Sequence, residues 1–422
     1  MVVDAMKNPR AILILLYAAA MLLFDLSIFA QPGDEARWYE KTAASVKALD
    51  EEIARRPNDA DLLFQRGSLY LSFFSLHSDV AEYHGVVYAT DPGGKALADL
   101  NRAIELDASR SEYYVGRGRV YDYQWGHALS RGSEAAASSW EKTRQLFWEN
   151  QSFDSAVKDY QKALSIARNR SESSRPLNFL AWLYRTRATS VSFYPPAKTV
   201  RAEKQTRLVF DDFDRSLEFT RRFLDSSEKP SFSTFLIRDI YFDKGRAAIE
   251  FEEYATGIKI LSDAIKEIQD RWQPGTEDLC RLYSLRGDIN QKLKDYDAAV
   301  RDYSYPIEQK LPNCDLIHLK RGDAYAAKGE WKSAIEDYSR ELETISYIDV
   351  SLLTRRAKGY LKIGDAEKAI EDLNRAMTFH KSCSEQYELR AEAYRILKDE
   401  THAAEDEKMA ASLSRNKIGC SL

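Results

Sequence analysis

Histidine and cysteine are scarce in this chain, and the residue patterns that many enzymes share are missing. Only 6 His and 4 Cys occur among 422 residues. The sequence has no HExxH helix, nucleophile elbow, Walker phosphate loop or dinucleotide-binding glycine pattern. Carboxylates are plentiful, yet no pair stands out as an acid and a base. These absences predict a protein that is not an enzyme, and no cofactor is predicted.

A basic surplus is missing as well. Lys and Arg number 61 against 66 Asp and Glu, which gives a net charge of −5. Proteins that bind nucleic acid usually neutralise phosphates with a clear excess of positive charge. We therefore expect no nucleic-acid partner.

The few cysteines lie in the last third of the chain, at Cys280, Cys314, Cys383 and Cys420. Their spacings do not match a CxxC zinc site, so no metal site is predicted. The first three occupy similar places before successive predicted helices. Neighbouring helices pack about 8–10 Å apart, which is too far for an unstrained disulfide. The sequence therefore predicts free, half-buried thiols.

The first 30 residues differ in character from the rest. Lys7 and Arg10 precede an apolar run over residues 11–24, and a short segment ending in Ala30 leads into a turn. This order is typical of a secretory signal peptide. The alternative is an uncleaved anchor over residues 11–30, with Asp25 inside the span. Both interpretations place the remainder outside the cytoplasm: periplasmic or secreted after cleavage, or membrane-anchored and facing outward. A membrane contact is predicted only through the N-terminal segment, if it is uncleaved.

Four stretches of the C-terminal half repeat one pattern with a step of 34 or 35 residues. Each begins with Arg and a small residue, and Ala and then Asp follow further on. The arginines are Arg286, Arg321, Arg356 and Arg390, and the aspartates are Asp302, Asp337, Asp372 and Asp406. A period of this length indicates stacked helical hairpins. Gly329 and Gly364 fall where first helices must end, as a left-handed C-cap requires.

This pattern resembles the tetratricopeptide repeat (TPR) family over about residues 57–416. The resemblance implies an all-α, right-handed solenoid of helix–turn–helix repeats, whose first helices line a concave groove for a peptide or another protein. Earlier copies begin at Arg66 and Arg117, and the third repeat matches through Ala181, Tyr184 and Asp212. The predicted organisation is a signal peptide or anchor at 1–30, a capping helix at 31–56, three repeats with insertions at 57–228, five mostly regular repeats at 229–416 and a tail at 417–422.

The repeated Arg and Asp are expected to form a bridge. They stand 16 residues apart in the four regular repeats, and both are lost together in the fourth repeat, which has Lys244 and Ile260 instead. We predict a partly buried Arg–carboxylate pair between the two helices or between neighbouring repeats. The alternative is a set of independent, solvated charges.

The first three repeats carry 17, 26 and 16 surplus residues between their two helices. These insertions are rich in aromatic residues, which often dominate binding surfaces. The alternative is that the rings only pack the insertions against the stack. The candidate surface residues are Tyr83, Tyr88, Trp125, Trp140, Trp148 and Tyr194.

The groove face of the middle repeats is the second candidate site. Arg beside Trp suits a carboxylate or an acidic peptide, through forked hydrogen bonds and stacking. Later repeats place acidic residues such as Asp288 and Asp323 on the same face, so the groove is expected to run from basic to acidic. The alternative is that the charged residues of this open helical face are merely solvated. The candidate groove residues are Arg119, Asn178, Trp182, Arg185 and Arg246.

Together these features predict an exported, non-enzymatic scaffold or adaptor that binds a protein or peptide in its groove, with an acidic peptide as one option. The alternative is a small-ligand or metal receptor that uses the aromatic insertions.

Overall fold

The structure, a computed structural model, describes residues 34–76, 80–136, 140–192, 200–226, 234–271, 279–312, 314–344, 349–379 and 383–415. These ranges contain eighteen helices and one β-hairpin. In chain order the elements are α1 (Asp34–Arg55), α2 (Ala60–Leu76), β1 (Val80–Tyr83), β2 (Val86–Thr90), α3 (Pro92–Leu106), α4 (Ser111–Ala136), α5 (Trp140–Phe147), α6 (Gln151–Ile166), α7 (Arg170–Ser192), α8 (Val200–Ser226), α9 (Thr234–Glu250), α10 (Tyr254–Arg271), α11 (Leu279–Lys292), α12 (Tyr296–Glu308), α13 (Ile317–Lys328), α14 (Trp331–Thr344), α15 (Val350–Lys362), α16 (Ala366–Phe379), α17 (Ser384–Ile396) and α18 (Glu400–Arg415).

The helices pack in consecutive pairs, which confirms the predicted all-α fold of TPR-like helical repeats. The packed first and second helices of seven repeats are α2/α3, α4/α6, α7/α8, α11/α12, α13/α14, α15/α16 and α17/α18. The first and second helices assigned to the fourth repeat are α9 and α10. The chain divides into two compact bodies after Phe251. We call them the N-terminal body and the C-terminal body, and the division falls within the fourth repeat.

Small residues let the two helices of a regular repeat approach closely. A Cβ atom added at Gly322 would lie 2.6 Å from Cε1 of Tyr338, so only glycine fits there without a shift. Gly329 and Gly364 end the first helices of their repeats with φ near +81° and +82°. L-residues with a side chain rarely adopt this region, so the predicted left-handed C-caps are confirmed.

The extra residues of the first repeat include the antiparallel hairpin of β1 and β2. Tyr39 of α1 is fully buried, and the rings of Tyr83 and Tyr88 pack on it with centroids 5.1 Å away in each case. Phe73 of α2 joins the same apolar cluster. The hairpin and the leading helix therefore share one small core with the first repeat.

The second and third repeats place their additional residues largely in helix. In the second repeat α4 extends for 26 residues, and α5 stands between it and the second helix α6. In the third repeat both helices are long, with 23 residues in α7 and 27 in α8. Longer helices supply their own apolar faces, so these repeats need no long irregular loop in the described ranges.

The expectation of free thiols is wrong. Cys280 and Cys314 form a disulfide with their Cα atoms 5.6 Å apart, and Cys383 is also disulfide-bonded. The expectation used the distance between helix axes, but Cys314 lies in the loop between α12 and α13. That loop approaches the start of α11 closely enough for ordinary disulfide geometry.

Within the described ranges, no helix is both long and apolar enough to cross a bilayer. The predicted signal peptide or anchor at residues 1–30 lies outside the described residues.

Candidate functional site

The repeated arginines make a three-way contact, which confirms the predicted pairs. Arg321 donates from Nε and Nη2 to the two carboxylate oxygens of Asp337, at 2.7 Å each, and from Nη1 to Oγ of Ser304 at 3.1 Å. Asp337 belongs to the second helix of the same repeat and Ser304 to the second helix of the preceding one. The hydrogen bonds to Asp337 raise the pKa of Arg321 further above its ordinary value.

Five other arginines bond in the same way to an aspartate of their own repeat and to a polar side chain of the helix that precedes the repeat, which is the leading helix α1 for Arg66 and the preceding second helix for the other four. They are Arg66 with Asp99 and Asp50, Arg117 with Asp159 and Asn101, Arg286 with Asp302 and Ser262, Arg356 with Asp372 and Ser339, and Arg390 with Asp406 and Asn374. Each guanidinium therefore joins three helices. These side chains hold the repeats in register, and their hydrogen-bonding groups are used by contacts within the fold.

The third repeat has the same pair in a register that the sequence interpretation missed. Arg187 donates to both oxygens of Asp212 at 2.7 Å, and its Nη1 reaches the carbonyl of Phe147. The match through Ala181 and Tyr184 was therefore wrong by two helical turns. Arg187 and Asp212 are 25 residues apart, so the surplus over the regular spacing of 16 is nine residues, not 16. One feature of the sequence indicates the correct register: the small residue Ala188 directly follows Arg187.

The fourth repeat lacks the pair, as its sequence indicates. Lys244 stands in the place of the arginine and is 7% exposed. Its Nζ bonds Asp214 of α8, in the preceding repeat. The contact to the neighbouring repeat is thus retained although the aspartate of the repeat is gone.

The candidate groove residues all lie on first helices of the N-terminal body. Arg119 of α4 donates from Nη2 to the hydroxyl of Tyr123 at 2.9 Å, and its guanidinium lies 5.6 Å from the ring centre of Phe179 on α7. Asn178 and Trp182 flank that ring along α7 and are half-buried. The arrangement brings a cation and aromatic rings of two successive repeats together.

The other two groove arginines meet α9. Arg185 of α7 donates to Asp243 Oδ2 from Nε at 2.8 Å and from Nη2 at 2.7 Å, so its charge is already neutralised. Arg246 lies three residues after Asp243 and is exposed. The cavity between Arg246 and Thr189 holds only about 20 Å³, which is room for one water molecule. A larger ligand can therefore meet this face only on its open side.

Asp122 is a buried carboxyl group on the same helix as Arg119, and the sequence interpretation did not single it out. It is 2% exposed. Burial raises the pKa of Asp122 to about 7, and the charge of Arg119 opposes that rise. The position of Asp122 in the sequence pattern did not indicate that the side chain is buried, because only tertiary packing removes it from water.

On the first helices of the C-terminal body, the expected acidic stretch is partly neutralised. Lys320 Nζ bonds Asp288 at 2.7 Å, and Arg355 Nη1 bonds Asp323 at 2.9 Å. Tyr303 donates its hydroxyl to Asp288 at 2.8 Å. The groove therefore does not simply change from basic to acidic, because each of these two carboxylates already meets a cation of the next repeat.

The candidate insertion residues mostly pack inward, as the alternative interpretation held. Tyr83 and Tyr88 cover Tyr39, and Trp125 is fully buried with its Nε1 donating to the carbonyl of Leu146 at 3.3 Å. The assignment of Trp125 to a surface is therefore wrong, because this long insertion needs a core of its own. Trp148 is half-buried. The side chain of Trp140, and all of Tyr194, lie outside the described part of the chain.

Among the described residues, no group of three or more His, Cys, Asp or Glu side chains is arranged to hold a metal ion. No family model and no curated protein matches the sequence. Several solved structures are similar in fold. MamA (residues 41 to the end) from Desulfovibrio magneticus RS-1 has 14% identity and a TM-score of 0.38, over 43% of this chain and 97% of that one.

A Podospora anserina protein described as a putative kinesin light chain with nearly identical TPR-like repeats has 13% identity and a TM-score of 0.38. The match covers 45% of this chain and 98% of that one. The TPR domain of P58(IPK) has 14% identity and a TM-score of 0.25, over 95% of this chain and 94% of that domain. At these identities and scores no functional conclusion follows, and the TPR-like fold is established by the helical pairs of the chain itself.

Proposed function

We propose that this protein is a non-enzymatic scaffold that acts outside the cytoplasm and binds a protein or peptide along the first helices of its N-terminal body. The observation that carries the proposal is the row of Arg119, Trp182 and Arg246 on three successive first helices. Guanidinium groups and an indole ring on neighbouring helices suit an acidic or aromatic segment of a partner.

The repeat frame supports binding rather than catalysis. Its most regular charged groups, such as Arg321 and Asp337, are bonded to one another and hold helices together. Rigid elements of this kind position variable surface residues without a large entropic cost on binding.

The disulfide between Cys280 and Cys314 supports an oxidising compartment, since such bonds persist mainly in exported proteins. The basic and apolar start of the sequence supports export as well. Sequencing the N-terminus of the mature protein from its native cells tests this point. A start at or near Gln31 is expected, and a retained Met1 would favour the anchor instead.

The alternative of a small-ligand receptor in the insertions is less well supported. Tyr83, Tyr88 and Trp125, on which it depends, pack against the helices. We therefore retain the first-helix row as the proposed binding face.

A direct test selects peptides from a random display library on the full-length, oxidised protein and measures their affinity by fluorescence anisotropy. Selected peptides are expected to be rich in Asp and Glu. Arg246→Glu should weaken them roughly tenfold or more, because it reverses an exposed charge on the proposed face. Lys358→Glu is the matched control, because Lys358 is exposed and stands two residues after Arg356 just as Arg246 stands two after Lys244.

Equal loss of affinity in both variants would indicate non-specific attraction by net charge. Undiminished binding by Arg246→Glu would exclude the assigned face, and a failure to select any peptide would count against the scaffold proposal itself.

A further inference from the structure

A cleft of about 770 Å³ opens in the C-terminal body, where the end of α12, loop residues 310, 311 and 314–316, the start of α13 and the end of α14 meet. Its volume is typical of sites for small organic molecules. Ile307, Leu311 and Ile317 form an apolar wall, and Glu341 and His318 are among the polar lining residues.

Glu341 is an ionisable group held almost out of water, at 4% exposure. Its Oε2 accepts a hydrogen bond from the backbone N–H of Leu319, 3.2 Å away in the first turn of α13. No donor in the described part of the chain bonds its Oε1. A buried carboxylate that accepts one hydrogen bond, on one oxygen, favours an added hydrogen-bond donor, above all a cationic one.

His318 supplies a second acceptor. Its Nδ1 lies 3.3 Å from Asp337 Oδ1, and Asp337 also receives two hydrogen bonds from Arg321. An ionised carboxylate only accepts hydrogen bonds, so Nδ1 carries a proton, and Nε2 is an acceptor when the ring is neutral. The Arg321–Asp337 pair thereby sets the tautomer of a side chain that lines the cleft.

The loop wall of the cleft is covalently fixed. Cys314 lines the cleft and is bonded to Cys280, the second residue of α11. A wall held in place loses little freedom when a ligand binds. Asp315 adds an exposed carboxylate to the lining of the cleft. Lys310 also lines the cleft, but it is exposed, so solvent screens its positive charge.

We propose that this cleft binds a small amphipathic amine. The ammonium group donates to Glu341 and His318, and its apolar part lies along Ile307, Leu311 and Ile317. This site is independent of the proposed peptide-binding face, which lies in the other body.

The test is calorimetric titration of the full-length, oxidised protein with n-hexylamine as the probe. Hexanol and hexanoate have the same chain without the positive charge, so both are expected to bind more weakly. Glu341→Gln should weaken n-hexylamine roughly 10- to 100-fold, since it removes a charge-assisted hydrogen bond. The glutamine oxygen still accepts from Leu319, so the start of α13 keeps its partner.

Glu308→Gln is the matched control, because it makes the same charge change at an exposed position of α12 outside the cleft lining. Unchanged affinity in this control is expected. Ile307→Trp, with folding verified by circular dichroism, should abolish binding by filling the cleft.

The proposal is overturned if n-hexylamine does not bind at millimolar concentration or if hexanol binds equally well. It is also overturned if Glu341→Gln binds like the unmodified protein, or if Glu308→Gln loses as much affinity as Glu341→Gln.

Discussion

Replacing Arg321 by Met should destabilise the sixth repeat far more than an ordinary loss of a surface ion pair. The side chain of Arg321 is 16% exposed and that of Asp337 only 3%. The substitution keeps most of the apolar volume but leaves a buried carboxylate without its two strongest donors. Loss of one partner of a buried pair costs about 3–5 kcal/mol. Because His318 remains beside Asp337 at 3.3 Å, we expect the lower end of that range.

The companion variant removes both partners. Arg321→Met with Asp337→Leu eliminates the uncompensated charge, so most of the lost stability should return. The half-buried pair of Lys320 and Asp288 is the comparison, with side chains 33% and 32% exposed. Lys320→Met should cost roughly 0–1 kcal/mol, since solvent already screens that pair.

Native-state hydrogen exchange of amides in α13 and α14 measures these differences locally, which suits a repeat array whose parts need not unfold together. The reasoning is refuted if Arg321→Met costs no more than Lys320→Met. It is refuted equally if the double variant loses the sum of the two single effects, because the pair would then not act as a unit.

Two further predictions concern the disulfide and the buried carboxyl group. Replacing both Cys280 and Cys314 by Ser should lower the free energy of unfolding by roughly 4 kcal/mol, because the disulfide closes a loop over a 34-residue separation. Urea titration should show this loss under oxidising conditions and no difference between the two proteins in reductant. An equal difference under both conditions would contradict the prediction. Burial raises the pKa of Asp122 to about 7, against about 3.9 in an unfolded chain. Between these two values the unfolded chain releases a proton that the folded protein keeps, so the stability that this group contributes is lost as pH rises. The Asp122→Asn variant should therefore be more stable than the unmodified protein at pH 8, by on the order of 4 kcal/mol, and equal to it near pH 4. Thermal denaturation across this pH range measures the difference. A difference that does not change with pH would contradict the raised pKa of Asp122.

The sequence predicted the regular half of the fold well because its decisive contacts are local. Within a regular repeat, Arg321 and Asp337 are only 16 residues apart, so their recurrence is visible along the chain. The same pair is 25 residues apart at Arg187 and Asp212, where longer helices hide the spacing. A register error of two turns followed, since successive turns of a helix offer several similar positions.

The candidate site was predicted less completely. Sequence periodicity singled out Arg185 as a candidate residue of α7, but it did not predict the neutralisation of Arg185 by Asp243 of the next repeat. It also identified the aromatic insertions without showing that Trp125 is buried. Burial and pairing depend on which repeats are adjacent and how closely they approach, and a single sequence does not state this.

The sequence by itself determined the helical hairpin, its repetition and the Arg–Asp pairs of the regular repeats, because each follows from side chains that return at a fixed step. Only the tertiary structure decided the disulfide of Cys280 and Cys314, the burial of Asp122 and the cleft beside Glu341. These features arise where loops and helices of neighbouring repeats meet. Their distances are set by packing between segments, for which the periodic pattern carries no information.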